Sequence, residues 1–423
     1  MPAIGSNLPL AQELDAVDPL ARFRNEFVHG LDEPDLVYLD GNSLGRLPRR
    51  AVELASQVVA DQWGGRLVRY WNEGWLETIS RIGDKIGRLV GAGPGEVVLA
   101  DATTVCLYKA AVAALRARPG RTVVLTDDAN FPSDIQALRA AAATVGGDHR
   151  VVILPSDGVH GPIDALAGSL DRTVALLSLS HVAYRSGWCW DLPATTAMAH
   201  AAGALVLWDL SHSVGVVPID LDEAGVDLAV GCTYKYLNGG PGAPAFIYVP
   251  AGRVDLVNPV AGWQGSDDPF SFNPDAGPAL GATGFLTGTP PIVSAALVEP
   301  GVDLALEASV TAIRAKSVAL TERFVALVDH QLADHGFVLD TPRDPERRGS
   351  HVSLTHPDAR AIGQALIHEQ GVIGDFRPPD MLRYGFSPIY TTFADVDAAT
   401  ERTVAVVTGG GVKRWRDVTP IVP

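Results

Sequence analysis

Short, continuously apolar runs alternate with longer alanine-rich amphipathic stretches from about residue 95 to 250. The runs ending at Ala100 and spanning 122–126, 151–155, 173–179, Leu205–Trp208 and Leu228–Val230 read as buried strands, apolar throughout instead of alternating with polar residues. Stretches at 76–91, 162–170 and 192–202 read as helices, and the strand–helix–strand rhythm predicts a mostly parallel sheet with right-handed crossovers. From Val302 the pattern turns helical: Val310, Ile313, Leu320, Phe324, Leu327 and Val328 share one face, and Gly336 ends the helix. Residues 337–410 then mix short strands with helices, which predicts a small C-terminal domain. Residues 1–40 read as a helical segment and a short strand at 37–40 that runs into the turn Gly-Asn-Ser-Leu-Gly at 41–45. The expected division is 1–60 as an N-terminal segment packing with the small domain, 61–300 as the large domain and 301–423 as the small one. The tail after 412 is expected to be poorly ordered.

Composition narrows the field. A chain of 423 residues that is 47% hydrophobic and 19% charged can bury a substantial core. Its formal net charge of −16 argues against a nucleic acid or an anionic membrane as partner. Three cysteines, Cys106, Cys189 and Cys232, form neither a metal-ligand pattern nor a disulfide framework, so no metal is expected and a reducing cytoplasm is the simplest location. The first residues lack the basic and apolar blocks of a signal peptide, and no apolar run has the length of a membrane span.

Candidate chemistry lies where strands end. In open parallel α/β sheets, ligands bind beyond the carboxyl ends of the strands. Asp209 closes one apolar run there, and the next delivers Tyr234 and Lys235 into a glycine-rich loop, Asn238–Gly242. A lysine and a carboxylate converging on one pocket suit pyridoxal 5'-phosphate (PLP). The amine holds the aldehyde, and the acid keeps the pyridine nitrogen protonated so that the ring accepts electrons. Thr103 and Thr104 follow a strand and open an apolar helix, a natural phosphate cradle. Phe131 ends another strand and could stack on a pyridine face, and Ser180 could hydrogen-bond the ligand. Arg383 alternates with apolar neighbours on a strand, which would aim a planar fork into the interdomain cleft, where it suits a bidentate grip on a carboxylate. The half-fingerprint Gly-Ala-Gly-Pro-Gly at 91–95 precedes a strand instead of following one, which discards a nicotinamide site.

The run Gly-Cys-Thr-Tyr-Lys-Tyr-Leu-Asn-Gly-Gly-Pro-Gly at 231–242, with Trp-Asp-Leu-Ser-His-Ser at 208–213, closely resembles the kynureninases. Tyr-Leu-Asp-Gly-Asn-Ser-Leu-Gly at 38–45, Asn-Phe-Pro-Ser-Asp at 130–134, Phe-Leu-Thr-Gly-Thr-Pro-Pro-Ile at 285–292 and the stretch 374–390 extend the likeness across most of the chain. The resemblance implies PLP fold type I: an α/β fold, its mostly parallel sheet sandwiched by helices, with a smaller α+β C-terminal domain. It implies a homodimer with shared active sites that cleaves L-kynurenine or a ring-substituted kynurenine to an anthranilate and L-alanine. It assigns Lys235, Tyr234 and Asp209 to catalysis. Thr103, Thr104, Phe131, Asp134, Ser180, His212, Trp263 and Thr289 go to the cofactor, and Arg383 and Ser43 to the substrate. Trp71 and Trp75 become candidates for the aryl pocket. Ala183, Gln264 and Ser266 depart from the common family pattern near the expected position of the ring. Two rivals are a cysteine desulfurase or other class V aminotransferase relative, and a non-catalytic protein of the same fold. A desulfurase needs a nucleophilic cysteine in the C-terminal third, and all three cysteines lie before residue 240.

Overall fold

The computed structural model describes residues 8–30, 33 and 35–418. Its centre is a seven-stranded sheet built from β1 (Val97–Ala100), β2 (Val123–Asp127), β3 (Arg150–Leu154), β4 (Val174–Ser180), β5 (Leu205–Asp209), β6 (Leu228–Gly231) and β7 (Ala245–Tyr248). The spatial order is β1-β7-β6-β5-β4-β2-β3, and the strands from β6 to β3 pair in parallel. β7 is antiparallel to both of its neighbours, because it returns from the loop that carries Lys235 instead of crossing over through a helix. Helices α1 (Leu76–Val90), α2 (Thr103–Arg116), α3 (Pro132–Val145) and α4 (Leu192–Ala201) flank the sheet. The inner strands bury nearly every side chain, as apolar runs between two helical layers require.

The C-terminal part carries a four-stranded sheet of β8 (Val338–Leu339), β9 (His351–Thr355), β10 (Asp375–Arg377) and β11 (Met381–Gly385), ordered β10-β11-β9-β8 and antiparallel throughout. A second hydrophobic cluster forms here around Leu320, Phe324, Val352, Leu382 and Phe386. The N-terminal segment joins both clusters: Leu39 packs in the second, and Phe23 and Phe27 in the first. Its strand is only Val37–Tyr38, paired in parallel with Val372–Ile373.

Two expectations change. The long helix expected from Val302 breaks at Ser309, whose φ of 68° lies in the left-handed region. One helix ends at Ala308, and the next runs Val310–Leu327. The chain after 412 is also not loose. Val412–Trp415 is helical, Arg414 pairs with Glu369, Arg416 pairs with Asp358, and Trp415 stacks on His368. Residues 419–423, and residues 1–7 with the start that lacks the blocks of a signal peptide, lie outside the described residues. Among those described, no helix is long and apolar enough to cross a membrane.

Candidate active site

A cavity of about 620 Å³ opens at the carboxyl ends of the parallel strands. Its walls contain Ser43, Thr103, Thr104, Phe131, Asp134, Ser180, Asp209, His212, Tyr234, Lys235, Thr289 and Arg383, residues drawn from segments far apart in sequence. Trp263 is the exception among the expected residues. It is half-buried against Phe270, outside that lining. Trp71 and Trp75 also stay outside, packed edge to face against each other at 5.5 Å. Of the three departures, Gln264 lines the cavity with its amide oxygen buried and unpartnered, whereas Ala183 and Ser266 do not line it.

The floor is β5 and the loop after β6. Asp209 is 7% exposed, and one carboxylate oxygen accepts from the backbone N–H of Ser211 at 2.8 Å. Beside it, Asp134 is held well above the usual carboxylate range by burial first and then by the negative charge of Asp209. It therefore keeps its proton while Asp209 faces the cavity. Burial also holds the His212 imidazole well below its ordinary value, reinforced by the charges of Lys235 and Arg383, so the ring is neutral. Its Nδ1 and one Asp134 oxygen are buried polar atoms without partners. Such atoms are costly unless a ligand satisfies them.

Lys235 has no hydrogen bond or ion pair from its ammonium among the described residues, and it lies 6.0 Å from the ring centroids of both Phe131 and Tyr234. The loop that presents it turns through Asn238, Gly240 and Gly242, all with positive φ. It is pinned by the turn 41–45: the Gly45 N–H donates to the Tyr234 carbonyl at 2.8 Å, and a Cβ on Gly45 would lie 2.3 Å from the Lys235 carbonyl. Only glycine fits there. Burial, ahead of the nearby Cys232 and Asp209, raises the Tyr234 phenol and keeps it protonated.

At the other end, α2 begins with Ala102 as its cap residue, and no side chain caps it. Neither threonine is used as a helix cap; both line the cavity at the first turn of the helix, the Thr104 hydroxyl donating to that of Ser133 at 3.4 Å. Behind them Lys109 is fully buried, donating to Asp101 Oδ2 and to the Phe285 carbonyl at 2.5 Å each. Phe131, 37% exposed, ends the β2 loop and meets Tyr184 edge to face at 5.0 Å. The Ser180 hydroxyl donates to Asn130 at 2.7 Å. A free lysine, a buried acid pair, an exposed aromatic face and an uncapped helix N-terminus fit PLP.

Residues 313–403 match the family model described as the kynureninase C-terminal domain. The kynureninase of Pseudomonas fluorescens is 43% identical over 90% of this chain and 91% of its own, and that of Burkholderia pseudomallei (strain 1106a) is 44% identical over 92% and 93%. The chain belongs to the kynureninase family. Solved structures with the same fold include a cystine C–S lyase in complex with cysteine persulfide (TM-score 0.77, 20% identity, 88% of this chain and 98% of that one). Another is the apo cysteine desulfurase of Thermococcus onnurineus NA1 (TM-score 0.75, 16% identity, 95% and 99%). At such identities they establish the fold.

Sequence reasoning did not single out Asn42, Tyr184, Arg377 or Thr287, which also line the cavity, nor Asp375 behind it. The signal for two of these was present. Asp375 and Arg377 sit two residues apart on one strand, across a short turn from Arg383, and the register pairs Asp375 with Arg383.

Proposed function

We propose that this chain is a PLP-dependent hydrolase that cleaves the Cβ–Cγ bond of L-kynurenine, or of a ring-substituted kynurenine such as 3-hydroxykynurenine, to an anthranilate and L-alanine. The observation that carries the reading is the convergence of Lys235, Asp209, the uncapped α2 terminus and Arg383 on one cavity in a chain of this family. Bound at Lys235, the cofactor would supply an electron sink for charge developing at the substrate's Cα and Cβ. The rest belongs to the chain. Lys235 Nζ would hold the aldehyde and serve as the base that moves the substrate's Cα proton. Asp209 would keep the pyridine nitrogen protonated, with the protonated Asp134 beside it. Phe131 would cover a ring face, while Thr103, Thr104 and the α2 N–H groups would take the phosphate. Tyr234, kept as a phenol, donates a proton where water adds to the γ-carbonyl. Arg383 would read the α-carboxylate, with Ser43 beside it in the cavity wall.

The desulfurase reading lacks its nucleophile. Cys106, Cys189 and Cys232 are all buried and free, and burial raises each thiol, the first two to about 12. A buried thiol without its proton lost is inert. At the aryl end, the unpartnered Gln264 oxygen is suited to accept from the ring amine or a neighbouring hydroxyl. A homodimer is supported by large apolar side chains left in water: Trp63, Val68, Phe272 and Leu280. In that assembly Trp263 and Thr289 serve shared sites. Buried free thiols also suit a reducing cytoplasm.

The test is kcat/KM for L-kynurenine and 3-hydroxykynurenine side by side, with molar mass by light scattering. Turnover of one or both by a dimer is expected. Turnover of neither, with release of sulfur from cysteine, would replace this reading by the desulfurase one.

A further inference from the structure

Arg383 is not a free fork. It is 1% exposed, and a guanidinium buried that deeply needs a carboxylate. Asp375 provides it from the paired position on β10: Arg383 Nε donates to Asp375 Oδ1 at 2.9 Å and Nη2 to Asp375 Oδ2. Nη2 also donates to Ser43 Oγ at 3.1 Å, and Nη1 to the Tyr184 carbonyl at 2.5 Å. Of the five N–H groups on a guanidinium, four are engaged and one on Nη1 is left. The bidentate grip expected from sequence is therefore closed to Arg383 alone.

Arg377 supplies what is missing. It lines the same cavity with 27% of its side chain exposed, and it leans on the same acid, Nη2 donating to Asp375 Oδ2 at 2.6 Å. Its Nε is buried with no partner, a donor without an acceptor at the edge of the site. One carboxylate thus serves two guanidiniums and leaves a net charge of about +1, which matches a single bound carboxylate. Ser43 completes the cluster by donating to Asp375 Oδ2 at 2.8 Å. The other acid nearby, Asp40, is pushed up to about 7 by burial and then by Asp375, so at neutral pH it does not add a full negative charge.

We propose that the substrate's α-carboxylate is held between Arg383 and Arg377, Arg377 being a substrate-binding residue and Asp375 the positioning residue that fixes both guanidiniums. The inference rests on the reading that this cavity takes the alanyl end of a kynurenine. A merely structural role for the cluster would make Asp375 part of the packing between β10 and β11 and Arg377 a solvated side chain.

The experiment compares L-kynurenine with the corresponding amine that lacks the α-carboxylate, used as a competitive inhibitor of the holoenzyme. Arg377→Gln is expected to raise KM for L-kynurenine by roughly ten- to a hundredfold, as loss of a charge-assisted contact does. It should leave the inhibition constant of the carboxylate-free amine within about twofold, and Arg377→Lys should recover part of the loss. Asp375→Asn adds net positive charge, yet it is expected to lower kcat/KM for L-kynurenine by about tenfold or more, again sparing the amine, because both guanidiniums lose their anchor. An unchanged KM in Arg377→Gln, or a kcat/KM in Asp375→Asn that rises or stays level, overturns the proposal. So does equal loss for both ligands, which marks a structural role. Arg377 is partly exposed, so Arg377→Gln keeps the test open if Asp375→Asn fails to fold. Failure of the underlying reading shows separately, as an unchanged KM in Arg383→Ala.

Discussion

Lys109 offers a test of how the fold prepares the phosphate end of the site. Its ammonium, fully buried in α2, ties two walls of the cavity together: Asp101, in the turn before the threonines, and the Phe285 carbonyl, just ahead of the segment 286–291. Lys109→Met keeps the length and removes the charge. The Phe285 carbonyl then loses its donor, and a charge-assisted hydrogen bond to Asp101 disappears. Because the Asp101 side chain keeps 28% exposure and recovers part of its hydration, the expected stability loss is about 2–3 kcal/mol, below the upper end for breaking a fully buried pair. A second effect is electrostatic. Without Lys109, the Asp101 carboxylate stands uncompensated at the cradle of a phosphate. For unit charges several ångströms apart at an effective dielectric of about 20, the repulsion is on the order of 2 kcal/mol, which weakens cofactor binding by roughly ten- to a hundredfold. Urea unfolding of the apoprotein reads the first effect, and fluorescence titration with PLP at two salt concentrations reads the second. The double variant Lys109→Met/Asp101→Asn should regain most of the cofactor affinity without regaining stability. Cofactor affinity unchanged in Lys109→Met, or not rescued by Asp101→Asn, would refute the electrostatic reasoning.

Lys235→Ala should abolish turnover and the visible absorbance of lysine-bound cofactor while leaving the far-UV circular dichroism intact; retained turnover would remove Lys235 from the mechanism. Asp209→Asn should lower kcat by on the order of a hundredfold or more, since a neutral amide does not hold the ring nitrogen protonated, and a near-normal kcat would mean that another group does so. His181 is buried beside Cys189, and burial, then Arg314, lowers its imidazole to about 4. The native state thus binds that proton less readily than the unfolded chain. The stabilisation is complete above the ordinary histidine value of about 6.5 and is lost as pH falls toward 4, amounting to about 2 kcal/mol between pH 7 and pH 5. His181→Asn should remove that part of the acid destabilisation in urea unfolding, and an unchanged pH slope would contradict the assignment.

Much of the central sheet was legible because its strands are apolar on both faces, a pattern with few other interpretations. Asp209 and Lys235 were legible because strand ends fix where side chains can meet. The break at Ser309 was not, since the apolar face continues through it and only a left-handed backbone marks the corner. The docked tail at Val412–Trp415 rests on Glu369, Asp358 and His368, contacts across a long sequence separation that no local pattern announces. The arginine cluster failed in sequence for a related reason. Alternation on a strand predicts which way Arg383 points, but not that Asp375 already occupies the edge of its fork. Trp263 packs on Phe270 outside the cavity lining, a placement that its position in the sequence did not announce.

Hydrolysis of a carbon–carbon bond leaves its mark in where the oxygen of water ends up, which isotope labelling reads. Purified protein saturated with PLP is incubated with L-kynurenine in ¹⁸O-labelled water, and the products are weighed by mass spectrometry. Anthranilate and L-alanine are expected in equal amounts, with one labelled oxygen in the anthranilate carboxylate and none beyond background in the alanine. Anthranilate without the label, or no anthranilate while Lys235 still holds the cofactor, would contradict hydrolysis of that bond.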